Sequence, residues 1–323
     1  MTESSRPLPA WSLWVVRGVA LAGLGVVAWA CLTAWGAIVH GHPAYAILLL
    51  LSALGCIVGL ALSWRPSARR PHERPRRRLA ARLAIVALAA GVLALVAWLR
   101  PFPAVPPALA AMDSGGGVTV SETATEIVLA PDASPSATGV FVQPGAKVEA
   151  RAYAALLRPL AEAGHPVVIA KQPLGIAFLA VGAFDAARAA HPEVTGWVLA
   201  GHSLGGTVAA LEADAGDSGS AAPAVGLVLL ASYPASDLSD SLEVPVLSIS
   251  ASRDGLATPE KIAAARPDLP ADTEYLVIDG AVHAFFGDYG PQPGDGEPTV
   301  SHDAAHGQIA AAFLRFVNAV AAP

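Results

Sequence analysis

Cysteine is almost missing from this chain: two in 323 residues, Cys31 and Cys56, both inside apolar runs. No disulfide framework can staple the rest of the molecule, and a cysteine-free domain suits either side of a membrane, so redox chemistry says nothing of compartment. Acidic side chains are nearly missing from the first hundred residues, where Glu3 and Glu73 face eleven arginines, a balance of +9. The other 223 residues carry nine basic and 24 acidic side chains, a balance of −15. A surface of that sign repels polyanions, which excludes nucleic acid as the partner of the C-terminal part.

What the first hundred residues do have is long apolar runs. Residues 13–39 are interrupted only by Arg17, Thr33 and small side chains, long enough to cross a hydrocarbon core of about 30 Å at about 1.5 Å per residue. The turn His40-Gly41-His42-Pro43 precedes a second run, 44–64, and a third spans 83–99. Trp11, Trp14, Trp64 and Trp98 stand near the ends of these runs, where amphipathic rings favour the headgroup zone. A cleaved signal peptide would be shorter and would not be followed by two more runs. The three runs hold no acidic residue, and Arg17 sits near an end, a composition that argues against a transporter or channel. Residues 1–100 therefore read as a membrane anchor of about three transmembrane helices with the lipid bilayer as partner. The loop 65–82 carries eight arginines and one acid, which assigns it to the cytoplasm and everything after Arg100 to the outer, extracytoplasmic face of the cell membrane.

Residues 101–137 are rich in Pro, Gly, Ala and Ser, including Pro106-Pro107 and Gly115-Gly116-Gly117, and read as a linker with possible edge strands at 118–120 and 126–129. From 138 to 323 short apolar runs alternate with alanine-rich helical patterns, the signature of an α/β domain with a mostly parallel sheet and helices on both faces. Strands are predicted at 139–142, 167–170, 197–200, 227–231, 246–249 and 275–278. Helices are predicted at 150–163, 178–190, 204–213, 259–265 and 304–320. Active sites of such sheets lie at the carboxyl ends of the strands.

One predicted strand runs into Gly201-His202-Ser203-Leu204-Gly205-Gly206 and then a helix. This is the Gly-x-Ser-x-Gly elbow in the context it requires, with a serine hydroxyl lifted above the sheet at a helix N-terminus. A serine is a poor nucleophile until a base takes its proton, and the base must be held in one tautomer by a carboxylate. In the order nucleophile, acid, histidine, the polar turn Ser252-Arg253-Asp254-Gly255 supplies Asp254, and Asp279-Gly280-Ala281-Val282-His283 supplies His283. Asp237 is the alternative acid, whereas Asp279 reads as a turn residue and His202 as packing. For the oxyanion hole, the Leu204 N–H is one donor. The second comes from the loop Gln143-Pro144-Gly145-Ala146, where proline has no N–H, so Ala146 or alternatively Gly145 is the candidate. His302 and His306, four apart, read as solvent-facing at the start of the last helix rather than as metal ligands; no metal and no cofactor is expected.

These motifs resemble the α/β-hydrolase superfamily over 138–320, and within it the small, dienelactone-hydrolase-like branch with an N-terminal membrane anchor. The blocks that carry the resemblance are Gly201 to Gly206, Pro144-Gly145-Ala146-Lys147-Val148, Ala231-Ser232-Tyr233-Pro234, Arg253-Asp254-Gly255 and His283 to Gly290 with its continuation Gln292-Pro293-Gly294-Asp295-Gly296. The nucleophile is serine rather than the cysteine of true dienelactone hydrolases, and the oxyanion loop lacks a His-Gly-Gly-Gly pattern. The resemblance implies that a cap would enter after the strand ending near Ala231. Only thirteen residues, 232–244, are available there, which implies no cap domain and an open cleft walled by Phe178, Phe285, Phe286 and Tyr289. Such a cleft suits a small to medium acyl ester. The leading expectation is a serine hydrolase of carboxylic or thioesters; an acyltransferase with the same triad and a non-catalytic binding module on the same fold are the alternatives.

Overall fold

The computed structural model describes residues 9–65, 75–215 and 222–322; Arg6 and the arginines at 69, 70 and 74 lie outside them. The chain divides into two compact units, one of Met1–Val39 with Pro43–Arg100, the other of His40–His42 with Pro101–Pro323.

The first unit consists of α1 (Trp11–His40), α2 (Pro43–Trp64) and α3 (Pro75–Trp98). All three are long and apolar enough to cross a membrane. The third helix begins eight residues before the expected position 83, so Arg76, Arg77, Arg78 and Arg82 are helical rather than part of a loop. Arginine, alanine and leucine are all good helix formers, so the helix continues past the point where the apolar run ends. Arg17 of α1 donates to the Ser63 hydroxyl at 3.2 Å and the Ser63 carbonyl at 3.0 Å of α2. Its guanidinium also lies 3.9 Å from the centre of the Trp64 ring, so the charge is accommodated inside the unit.

The second unit is built on eight strands: β1 (Val118–Glu122), β2 (Glu126–Pro131), β3 (Thr138–Gln143), β4 (Val167–Ala170), β5 (Gly196–His202), β6 (Ala224–Leu230), β7 (Val246–Ala251) and β8 (Glu274–Ile278). They lie in the order β1-β2-β4-β3-β5-β6-β7-β8. β1 and β2 run antiparallel at one edge and the other six are parallel. The helices are α4 (Pro106–Ala110), α5 (Ala154–Glu162), α6 (Ala183–Ala190), α7 (Leu204–Asp214), α8 (Pro259–Ala264) and α9 (His302–Ala321). Alternation along the strands sorts the core into two layers. Val140 and Val142 of β3 join Leu156, Leu160 and Phe313 on one face, while Phe141 joins Trp197, Ala209 and Phe184 on the other. Each layer is sealed from water, which at about 25 cal/mol per Å² of apolar surface makes this sandwich the main stabilising element of the unit.

Residues 101–137 are not a free spacer. Phe102 donates its amide to the Lys147 carbonyl at 2.7 Å and accepts from the Glu149 amide at 3.0 Å. Val118, Ile127 and Leu129 are fully buried. The prolines and glycines of this stretch mark the turns between short elements rather than an unstructured chain. The two expected edge strands are there, and β2 hydrogen-bonds β4 over Glu126 to Leu129. No helix lies within 231–245 between β6 and β7, so nothing there covers the carboxyl end of the sheet.

Candidate active site

Strand β5 delivers His202 and then Ser203, whose backbone sits at φ 52°, ψ −125°, a conformation that a side chain other than glycine rarely adopts. Surrounding contacts hold this strain. The Ser203 amide donates to the Leu230 carbonyl at 3.0 Å, and the Ser232 hydroxyl donates to the Ser203 carbonyl at 2.6 Å. Gly201 and Gly205 are required by close approach. A Cβ at Gly201 would strike the Gly205 carbonyl, and one at Gly205 would strike the carbonyls of Gln143 and Pro144. The bend thus brings α7, β5 and the loop after β3 together at one point. Ser203 and Leu204 remain half-exposed there.

Asp254, three residues past β7, meets His283, five residues past β8. The Asp254 Oδ2 accepts from the His283 Nδ1 at 2.8 Å, with both residues buried. The Asp254 Oδ1 accepts from the amides of Leu256 and Ala257, each at 2.8 Å, so both carboxylate oxygens have donors. With Nδ1 engaged by the carboxylate, the His283 Nε2 is buried and without a hydrogen-bond partner. Asp237, the alternative acid, is turned away: its Oδ1 accepts from the Ser239 amide at 3.0 Å and the Ser239 hydroxyl at 2.6 Å, which holds its carboxyl below the usual range at an exposed position. Asp279 accepts from the Ser252 hydroxyl at 2.9 Å, as a turn residue would.

In the loop after β3 the two donor candidates separate. Gly145 is buried and its amide donates to the Tyr153 hydroxyl at 2.8 Å. Ala146 is half-buried and, among the described residues, its amide and that of Leu204 have no acceptor. Tyr153 in turn shares a hydrogen bond with the His202 Nδ1 at 2.8 Å. His202 is therefore more than packing. Burial first, and the neighbouring His283 second, push it well below the usual histidine range, which keeps it neutral. Its ring lies 4.6 Å from that of His283 and stacks on Phe286 at 5.8 Å.

The expected cleft wall is only partly where the sequence suggests. Phe286 and Tyr289 are buried core residues, the first under His202 and the second against Phe102 with its hydroxyl donating to the Gln292 side chain at 2.9 Å. An aromatic residue in a loop gives no signal of which way its ring points, and here both turn inward. Phe178 is exposed and Phe285 is half-exposed.

Two features escape the sequence. Asp295 accepts from the amides of Gly255 (3.2 Å), His283 (3.1 Å) and Gly296 (2.8 Å) on Oδ1 and of Ala284 (2.8 Å) on Oδ2. It ties the turn carrying Asp254 to the segment carrying His283; its only trace in the chain is the Gly294-Asp295-Gly296 punctuation. His302 and His306 are not both turned to solvent. Their rings stand 4.2 Å apart, and together with buried Asp288 they place one ligand atom each within 4.8 Å of one another.

Residues 139–307 match the family model described as the alpha/beta hydrolase family. The chain is similar in structure to a monoacylglycerol lipase of Paleococcus ferrophilus, at 14% identity over 62% of this chain and 99% of that one, with a TM-score of 0.47. It is also similar to esterase 2 of Thermogutta terrifontis, at 16% identity over 65% of this chain and 98% of that one, with a TM-score of 0.47. No curated protein matches it.

Proposed function

The chain belongs to the alpha/beta hydrolase family, and from that premise we propose that it is a serine hydrolase that cleaves carboxylic or thioesters through an acyl-enzyme on Ser203. One observation carries the reading: a buried carboxylate binds the Nδ1 of His283 and leaves Nε2 buried without a partner, while the glycine-flanked bend after β5 holds Ser203 at a strained φ of 52°. In the first step the His283 Nε2 takes the proton of the Ser203 hydroxyl as its oxygen adds to the ester carbonyl. Asp254 does not itself take the proton; it orients the imidazole and stabilises the imidazolium. The negative charge on the carbonyl oxygen falls to the amides of Leu204 and Ala146, two donors with no other acceptor. Collapse expels the alcohol or thiol with the proton from His283, and water repeats the sequence to free the acid and restore Ser203.

The lack of a helix within 231–245 favours an open cleft and a small to medium acyl ester. The arginine bias of residues 65–82 favours a cytoplasmic loop, with the hydrolase unit on the outer face and the three helices in the bilayer. The test uses the full chain in detergent micelles and a series of p-nitrophenyl esters of increasing acyl length. Hydrolysis with a preference for short chains, lost in Ser203→Ala, is the expected result. Turnover in Ser203→Ala equal to wild type contradicts the proposal.

A further inference from the structure

Beyond the Ser203 site, three side chains converge at the N-terminal end of α9. His302 and His306 are four residues apart and so lie on one helix face, one turn above the other. Opposite them is Asp288, from the loop that follows His283. Asp288 is 1% exposed, yet neither of its carboxylate oxygens takes a hydrogen bond. The nearest cation source is the His302 Nε2, 3.5 Å from Oδ1, an atom that also makes a 3.3 Å hydrogen bond to the Gly287 carbonyl, which a bound ion would replace. The His302 Nδ1 lies 3.7 Å from the exposed Asp303 carboxylate. The His306 Nε2 is likewise buried and without a partner.

A buried carboxylate with no donor is expensive, costing several kcal/mol unless a cation or hydrogen bonds compensate. Protonating His302 answers only part of this. The contact is long, it serves one oxygen, and it leaves the other Asp288 oxygen and the His306 Nε2 unsatisfied. One divalent cation held between the three groups satisfies all of them together. We propose that Asp288, His302 and His306 form a metal site for a divalent transition ion of the zinc class, with one coordination position left to water. Two imidazoles and one carboxylate suit such an ion, whereas calcium and magnesium take oxygen ligands. Ligand atoms of a tetrahedral zinc ion stand roughly 3.3 Å apart for bonds of about 2.0 Å, so a separation within 4.8 Å closes by small side-chain rotations. The half-exposed His302 gives the ion a way in.

The placement assigns the ion a structural part. The Asp288 amide donates to the Ala152 carbonyl at 2.8 Å, and its carbonyl accepts from the Val105 amide at 2.8 Å. Phe285, two residues after His283, packs edge-on against the His302 ring at 5.1 Å. An ion bound here clamps α9 to the segment that carries His283.

The test takes the full chain without a polyhistidine tag, stripped with chelator, and adds Zn2+ alone, with Mg2+ and Ca2+ as controls. One equivalent of Zn2+ binds and raises the melting temperature, Mg2+ and Ca2+ do not, and Co2+ in its place gives the visible absorption of a tetrahedral site. His306→Gln and Asp288→Asn each weaken Zn2+ binding at least tenfold. If Asp288→Asn does not fold, His302→Gln at the half-exposed position takes its place. No saturable Zn2+ binding up to millimolar concentration, or unchanged binding in His302→Gln/His306→Gln, overturns the site. Because the readout is metal binding, either outcome leaves the ester-hydrolysis reading of Ser203 untouched.

Discussion

Two buried carboxylates, Asp254 and Asp288, face histidines in opposite states of satisfaction. Asp254 accepts from two backbone amides and from His283, so each of its oxygens has a donor. Asp288 accepts no hydrogen bond at all, though it is just as buried. Burial by itself therefore does not define a role; the donors around the group do. A saturated carboxylate can only orient its histidine, as an acid-base pair needs. An unsatisfied one has room for a charge that its surroundings meet only through the 3.5 Å approach of His302.

The comparison breaks most visibly at Asp254. Asp254→Asn keeps the shape but reverses the donor pattern at His283, and turnover is expected to fall by about four orders of magnitude with the fold intact, read from kcat and circular dichroism. Near-normal turnover would move the acid elsewhere and undo the contrast. The next largest effect is expected at Asp295, which satisfies four amides around the same pair. Asp295→Asn turns an amide group toward at least one of those donors, and an orphaned donor costs about 1–3 kcal/mol. Expressed in the placement of His283, that is roughly ten- to hundredfold in kcat with KM little changed; an equal change in KM would mean that Asp295 shapes the cleft instead.

Glu212 on α7 sharpens the comparison as an intermediate case, because its carboxylate accepts from the Gln143 side chain, at 3.2 Å to each oxygen, and from the backbone amides of Gly182 and Phe184. Burial pushes it up to about 7 from its ordinary 4.5. A carboxyl raised on folding is favoured while protonated, so its contribution falls as pH rises from about 4.5 through 7. Glu212→Gln is expected to melt above wild type at pH 8, by on the order of 2 kcal/mol, and to match it near pH 4. Parallel melting curves at all pH values would mean that Glu212 is solvated in the native state.

Local patterns were readable in the chain, and convergence across distance was not. β4 has the bounds its valine-rich run suggests, and α7 begins where expected, because the elbow's glycines and the apolar periodicity are properties of neighbouring residues. Asp254 and His283 follow from chain order at successive strand ends, and the structure brings them to 2.8 Å. Residues 101–137 misled because prolines and glycines look alike in a linker and in tight turns between β1, β2 and α4. Asp295 folds back to the amide of Gly255, forty residues earlier, and no spacing rule foretells that. Asp288 meets α9 only after a long loop, so two histidines that look solvent-facing on a helical wheel end up against a buried acid.

The account stands or falls on the reactivity of one hydroxyl. Full-length protein treated with a fluorophosphonate probe and digested for peptide mass spectrometry should carry one adduct, on Ser203, with no labelling in Ser203→Ala. An unlabelled wild-type chain, or an adduct on any other serine, would contradict it.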